Sequence, residues 1–225
     1  MIAERIEALR REMRRRKIDM YIVPTSDFHE SEYVGDYFKA RKYITGFTGS
    51  AGTAVITLAE AGLWTDGRYF IQAEKELEGT PVTLYRMGEE GVPTVREYVG
   101  QNLGQGGCLG FDGRVVNAKD GAEYEQIARK RQGSIHVDED LVGLIWQGRP
   151  ELPGHPAYLL EEAYAGESAQ AKLKKLREKM KEQKAGIHIL TSLYDIAWLF
   201  NIRGGDIRHV PVVLSFAAIT MEESI

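Results

Sequence analysis

Residues 5–25 and 172–192 carry one pattern twice. At an offset of 167, Leu9, Arg10, Met13, Lys17 and Ile22 recur as Leu176, Arg177, Met180, Lys184 and Ile189. Each copy opens with apolar residues at helical spacing (Ile2, Ile6, Leu9, Met13; Leu173, Leu176, Met180) and continues into an apolar strand over 20–23 or 187–190. A chain that repeats a helix and a buried strand in register is expected to start the same α/β frame twice. At 225 residues it holds one large domain or one and a fraction, and the repeat favours the second option.

Between the copies, strand and helix signals alternate, the pattern of an α/β fold. Residues 24–38 read as an irregular loop before a short helix ending near Gly46. Stretches 53–58 and 61–65 read as an antiparallel hairpin inside an otherwise parallel sheet. After Asp66 and Gly67, helices are expected over 68–77, from Pro93 to Val99 and over 122–131, with strands over 82–87, 108–111 and 135–137. A first domain over 1–147 follows. Three prolines and two glycines within the nine residues 148–156 mark a linker, assigned to 148–166. The second domain is expected over 167–225, beginning near Ser168, with a helix over 194–200, a loop at Gly204 and Gly205, and a strand over 210–216. The second copy stops before supplying the further helix and strands of the first, so the sequence predicts an incomplete second unit cut from a longer chain.

Net charge of −4 and a pI near 5.8 argue against a nucleic-acid partner. The basic runs Arg14-Arg15-Arg16-Lys17 and Lys172, Lys174, Lys175 lie among glutamates without interleaved aromatics, and read as solvated helix faces. One cysteine, Cys108, excludes an internal disulfide and a Cys-based zinc cage; its apolar setting suggests a small buried hydrophobe. No signal-peptide core and no apolar stretch near the ~20 residues of a membrane span occurs, so the chain is expected to be cytoplasmic, without a membrane partner.

The five histidines, His29, His136, His155, His188 and His209, stand apart, and no His-x-x-x-His pattern occurs. Asp138, Glu139 and Asp140 are expected to complement the positive end of the helix that follows. Ser50 lies in Gly-Ser-Ala-Gly, not in a nucleophile elbow, and the glycines of 46–52 precede a strand, which suits tight turning better than phosphate binding. Trp198 is read as core. No catalytic or metal-ligating residue is therefore expected. Asp66-Gly67-Arg68 places Arg68 at the carboxyl end of a strand, where α/β sheets present functional groups, and a guanidinium there can bind a carboxylate bidentately. The alternative is an ion pair to Asp66 or Glu74 that only holds the junction.

Four segments carry a resemblance that spans essentially the whole chain in order: Gly46-Phe47-Thr48-Gly49-Ser50-Ala51-Gly52-Thr53, Trp64-Thr65-Asp66-Gly67-Arg68-Tyr69-Phe70, Ile145-Trp146 with Arg149-Pro150-Glu151, and Asp195-Ile196-Ala197-Trp198-Leu199-Phe200-Asn201-Ile202-Arg203-Gly204. Together they resemble the N-terminal half of three-domain aminopeptidase P. The resemblance implies two tandem creatinase/prolidase N-terminal domains, each a ribonuclease H-like three-layer α/β/α unit with a mixed sheet, the second truncated. It also implies a pita-bread catalytic domain, absent here, with two divalent metals, usually manganese, that removes the N-terminal residue preceding proline. By the same resemblance the partners are that catalytic domain, a peptide with proline at its second position, and a second subunit in a homodimer. This part would shape active-site access and dimer geometry. Arg68 and Glu32, the latter within His29-Glu30-Ser31-Glu32-Tyr33, resemble positions that reach substrate, and Arg203 and Asp206 resemble positions that tie the second domain to the third. A free-standing creatinase-like binding module without activity is the alternative. A nuclease, suggested by the fold alone, fails because the strands carry almost no interior carboxylates.

Overall fold

Helix α1 (Ile2–Arg16) buries Ile6, Leu9 and Met13 completely along one face. It stops at Lys17, which turns left-handed at φ 57 while the amide of Ile18 bonds back to the Met13 carbonyl. That turn delivers the chain directly into strand β1 (Met20–Pro24). Truncating Leu9 to Ala would remove a fully buried side chain at a cost of about 2–5 kcal/mol. The computed structural model describes residues 1–225 as two units, one of residues 1–32 and 36–150, the other of residues 33–35 and 151–225.

In the first unit β1 joins β2 (Thr53–Thr57), β3 (Ala61–Thr65), β4 (Thr83–Arg86), β5 (Cys108–Phe111) and β6 (Ser134–His136) in one sheet of order β4-β3-β2-β1-β5-β6. Only β2 runs antiparallel to its neighbours, in the register Val23 to Ala54 and Thr53 to Trp64. The remaining pairs are parallel. Alternation along the strands divides the core. Tyr21, Val23, Ala54, Ile56 and Leu63 meet α1, α2 (Ala40–Thr45), α3 (Phe70–Leu77) and α6 (Leu141–Ile145). On the other face Met20, Ile22, Val55, Trp64, Leu109 and Phe111 meet α4 (Val95–Asn102) and α5 (Ala118–Lys130). The result is the expected three-layer α/β/α unit with a mixed sheet.

The second unit holds β7 (Tyr158–Leu159), α7 (Glu162–Ala165), α8 (Ala169–Glu182), β8 (Ile187–Leu190), α9 (Leu193–Phe200), β9 (Ile202–Arg203) and β10 (Ala217–Thr220). Strands β8 and β10 pair antiparallel, as do β7 and β9. Met180, Ile196, Leu199, Ala217 and Ile219 form the core beneath β8 and β10. Lys184 closes α8 in the left-handed conformation at φ 56, as Lys17 closes α1.

Several sequence expectations need correction. Helix α5 starts at Ala118, four residues before the expected 122, because the Asn117 side chain accepts the Asp120 amide and caps it there. Pro93 precedes α4 without opening it; Thr94 is the cap, in a reciprocal pair with Glu97, and the helix continues to Asn102. Stretch 148–166 carries β7 and α7 as well as irregular chain. The apolar run 210–216 is not a strand. Pro211 has no amide to donate, and the Leu214 amide goes to the Asp206 carboxylate, so pairing with β8 begins only at Ala217. Trp198 is 59 % exposed and not core. Lys172, expected on a solvated face, is buried, with Nζ donating to the Trp198 carbonyl and to Asn201 Oδ1 at 2.6 Å. Cys108 is half-buried.

Candidate functional site

The first unit's most exposed ordered cation at a strand end is built by three residues. Thr65 ends β3 buried, its hydroxyl donating to the Ala51 carbonyl. Asp66 then turns the chain. Its Oδ1 accepts the Arg68 amide at 3.1 Å and Arg68 Nε at 2.8 Å, and its Oδ2 accepts Nη2 at 2.9 Å. Of the two ion-pair partners expected for Arg68, the structure selects Asp66; Glu74 instead pairs with Arg86. Hydrogen bonding to Arg68 holds the Asp66 carboxyl below the usual carboxylate range and keeps the guanidinium charged. The Arg68 side chain nevertheless stays 69 % exposed. Glu32, exposed in the loop that follows β1, makes no ion pair with Arg68 and adds only a small push in the same direction as Asp66.

The loop 46–52 supplies a rigid backing. Gly46 closes α2 at φ 82, a conformation that suits glycine. Arg41, in α2 and only 3 % exposed, donates Nη1 to the Phe47 carbonyl at 2.6 Å, Nη2 to the Gly49 carbonyl and Nε to Thr25 Oγ1 at 2.9 Å. Burial pulls this guanidinium down to about 10, still charged near neutral pH. A side chain at Gly49 would strike the rings of Phe47 and Tyr69. Phe47 meets Tyr69 edge to face, and the Tyr69 and Ser50 hydroxyls lie 2.6 Å apart. Thr48 donates its amide and hydroxyl to Glu76 of α3. Arg68 therefore projects from a junction whose neighbour, Tyr69, is fixed on both sides.

A second Asp-Gly-Arg junction follows β5. Asp112 takes the Arg114 amide, Nε and Nη2, each at 3.0 Å, in the arrangement of Asp66 and Arg68. Sequence reasoning missed it, although the same tripeptide after an apolar strand was there to be read. This junction borders a crevice at the carboxyl ends of β1 and β5, lined in part by Tyr21, Phe28, Tyr37, Asp112, Asp140 and Arg149. Its charges neutralise one another: Asp140 pairs with Arg149 at 2.5 Å and faces Arg114 at 3.9 Å. Asp140 also caps α6, the role expected of the acidic run.

In the second unit Asn201 turns left-handed at φ 53 and joins Lys172 to the Glu167 carbonyl. Arg203 donates Nη1 to the carbonyls of Ala197 and Ile202. Asp206 is buried, accepting the His155 amide at 3.1 Å and the Leu214 amide at 2.8 Å. Arg203 thus ties β9 to α9, and Asp206 holds the segments around His155 and Leu214, all within the second unit. No three His, Cys, Asp or Glu side chains converge as a metal site, and the residues present do not fit a pair of divalent ions.

Comparison with known proteins follows the same division. Residues 5–142 match the creatinase/prolidase N-terminal domain, and residues 148–225 match a second domain of that description. The chain is 40 % identical over 220 residues to a probable Xaa-Pro aminopeptidase P of Botryotinia fuckeliana, covering 96 % of this chain and 34 % of that protein. It is 42 % identical over 221 residues to the corresponding protein of Aspergillus oryzae, covering 97 % and 34 %. The chain spans about a third of the length of the curated relatives it matches. Among solved structures, the X-prolyl aminopeptidase of Caenorhabditis elegans, described as a cytosolic enzyme with a di-nuclear active site, superposes with a TM-score of 0.92 at 32 % identity. That match covers all of this chain and 38 % of the other.

Proposed function

This chain belongs to the creatinase/prolidase N-terminal domain family, and we propose on that footing that it serves as the N-terminal, non-catalytic portion of a metal-dependent Xaa-Pro aminopeptidase. The observation that carries the reading is the match to the C. elegans enzyme along the whole chain, at an identity high enough to speak for more than the fold. The intact protein would remove the N-terminal residue that precedes proline, with two divalent metals, manganese in our reading, in a domain outside these 225 residues. Because no ligand set converges here, no step of the hydrolysis is assigned to these side chains. Their part is to shape access to the active site and to support a cytoplasmic homodimer.

Within that role, Arg68 and Glu32 face the substrate, supported by the exposure of both, by the place of Arg68 at the carboxyl end of β3 and by the braced loop behind it. Arg203 and Asp206 secure the segments through which the second unit would meet the catalytic domain. Arg68→Ala in the full-length protein tests the site. The expected result is a fall in kcat/KM on Xaa-Pro peptides of about tenfold, the loss of one charge-assisted contact. Unchanged turnover and affinity would remove Arg68 from the substrate's surroundings.

A further inference from the structure

Asp66 leaves Arg68 with a specific set of donors. Nε and one hydrogen of Nη2 are taken, so the end-on edge formed by Nη1 and the second Nη2 hydrogen is what faces solvent. The charge in direct contact with Arg68 is Asp66, and the two cancel. At this exposure, salt screens charges beyond about 8 Å, so Asp66 dominates what the guanidinium offers. A carboxylate arriving at the end-on edge would bring a second negative charge beside that of Asp66. A main-chain carbonyl would accept the same hydrogen bond and bring none.

We propose that Asp66 is a positioning residue that presents Arg68 to a neutral main-chain carbonyl of the substrate and turns it away from the terminal carboxylate. The inference rests on the reading of Arg68 as substrate-facing. It predicts an enzyme indifferent to whether the peptide's C-terminus is charged. The second junction shows that the ion pair alone does not make such a site: Asp112 is 8 % exposed and Arg114 also faces Asp140, whereas Asp66 and Arg68 open to solvent.

The test compares Xaa-Pro-Xaa tripeptides with free and amidated C-termini on the full-length enzyme, its Asp66→Asn and Arg68→Ala variants and the double variant. Asn keeps an oxygen for the Arg68 amide, and the pair is exposed, so folding is not at stake. Wild type is expected to treat the two peptides alike. Asp66→Asn should lower KM for the free acid about fivefold relative to the amide, the worth of one unit charge removed from a water-screened contact. The double variant should lose that preference. If Arg68→Ala weakens turnover but Asp66→Asn leaves the ratio unchanged, the role of Asp66 is overturned while Arg68 keeps its own. Should Arg68→Ala change nothing, the underlying reading fails instead.

Discussion

Arg177 donates its Nε to the Thr220 carbonyl at 2.9 Å, the bond that Arg10 makes to the Thr57 carbonyl at 2.9 Å in the first unit. Beyond each threonine the turn is the same: Thr57 closes on Glu60 and Thr220 on Glu223, through matching amide and hydroxyl bonds. The helix, strand and hairpin turn of the first unit are thus rebuilt in the second.

From that equivalence comes a prediction about β8. Met20 and Ile22 are each 1 % exposed under α4 and α5, while their counterparts Ile187 and Ile189 are 60 % and 67 % exposed. Replacing both isoleucines by Lys should change the stability of the 225-residue chain by no more than about 1 kcal/mol. In the longer protein of the proposed function, where counterparts of α4 and α5 would cover that face, the same change should cost several kcal/mol, on the order expected for charges buried without partners. Urea unfolding of both lengths reads the difference, and equal effects would contradict it.

Arg41 should be the most sensitive residue behind the candidate site. Arg41→Met leaves the Phe47 and Gly49 carbonyls without their buried donor, which costs about 1–3 kcal/mol per group. We expect a lower urea midpoint together with faster proteolysis within 46–52. An unchanged midpoint would mean that the loop holds itself.

Glu139 gives the pH dependence. Its hydrogen bonds to Arg16, and secondarily to His136, lower its pKa from 4.5 to about 2. A carboxylate depressed on folding stabilises the folded state above its unfolded value, and that contribution fades as pH falls from about 4.5 towards 2. Wild type should therefore exceed Glu139→Gln in urea midpoint at pH 7, and the gap should close by about pH 2. A gap constant across the range would assign the effect to packing.

The repeat was legible because it lay in local pattern: apolar spacing in α1 and α8, and the apolar strands that follow them, β1 and β8. So was Asp140, whose capping role follows from acid before an apolar turn. Lys172 was not, because a lysine's burial is set by partners far along the chain, here the carbonyl of Trp198 and the side chain of Asn201. Trp198 was misread for a related reason. Apolar character says a residue can be buried, but α9 turns Ile196 and Leu199 inward and leaves Trp198 outside. The apolar run 210–216 shows how one proline and one competing carboxylate, Pro211 and Asp206, move a strand by several residues. Arg41 reads as one more surface charge until three acceptors are seen to converge on it.

The central claim is that these residues frame a hydrolytic site they do not contain. Its most direct test is release of the N-terminal residue from an Xaa-Pro peptide, with manganese added, by the 225-residue chain and by the longer protein side by side. The account predicts turnover only from the longer protein. Release by the 225-residue chain at an ordinary enzymatic rate, about 1 s⁻¹ or faster, would contradict it.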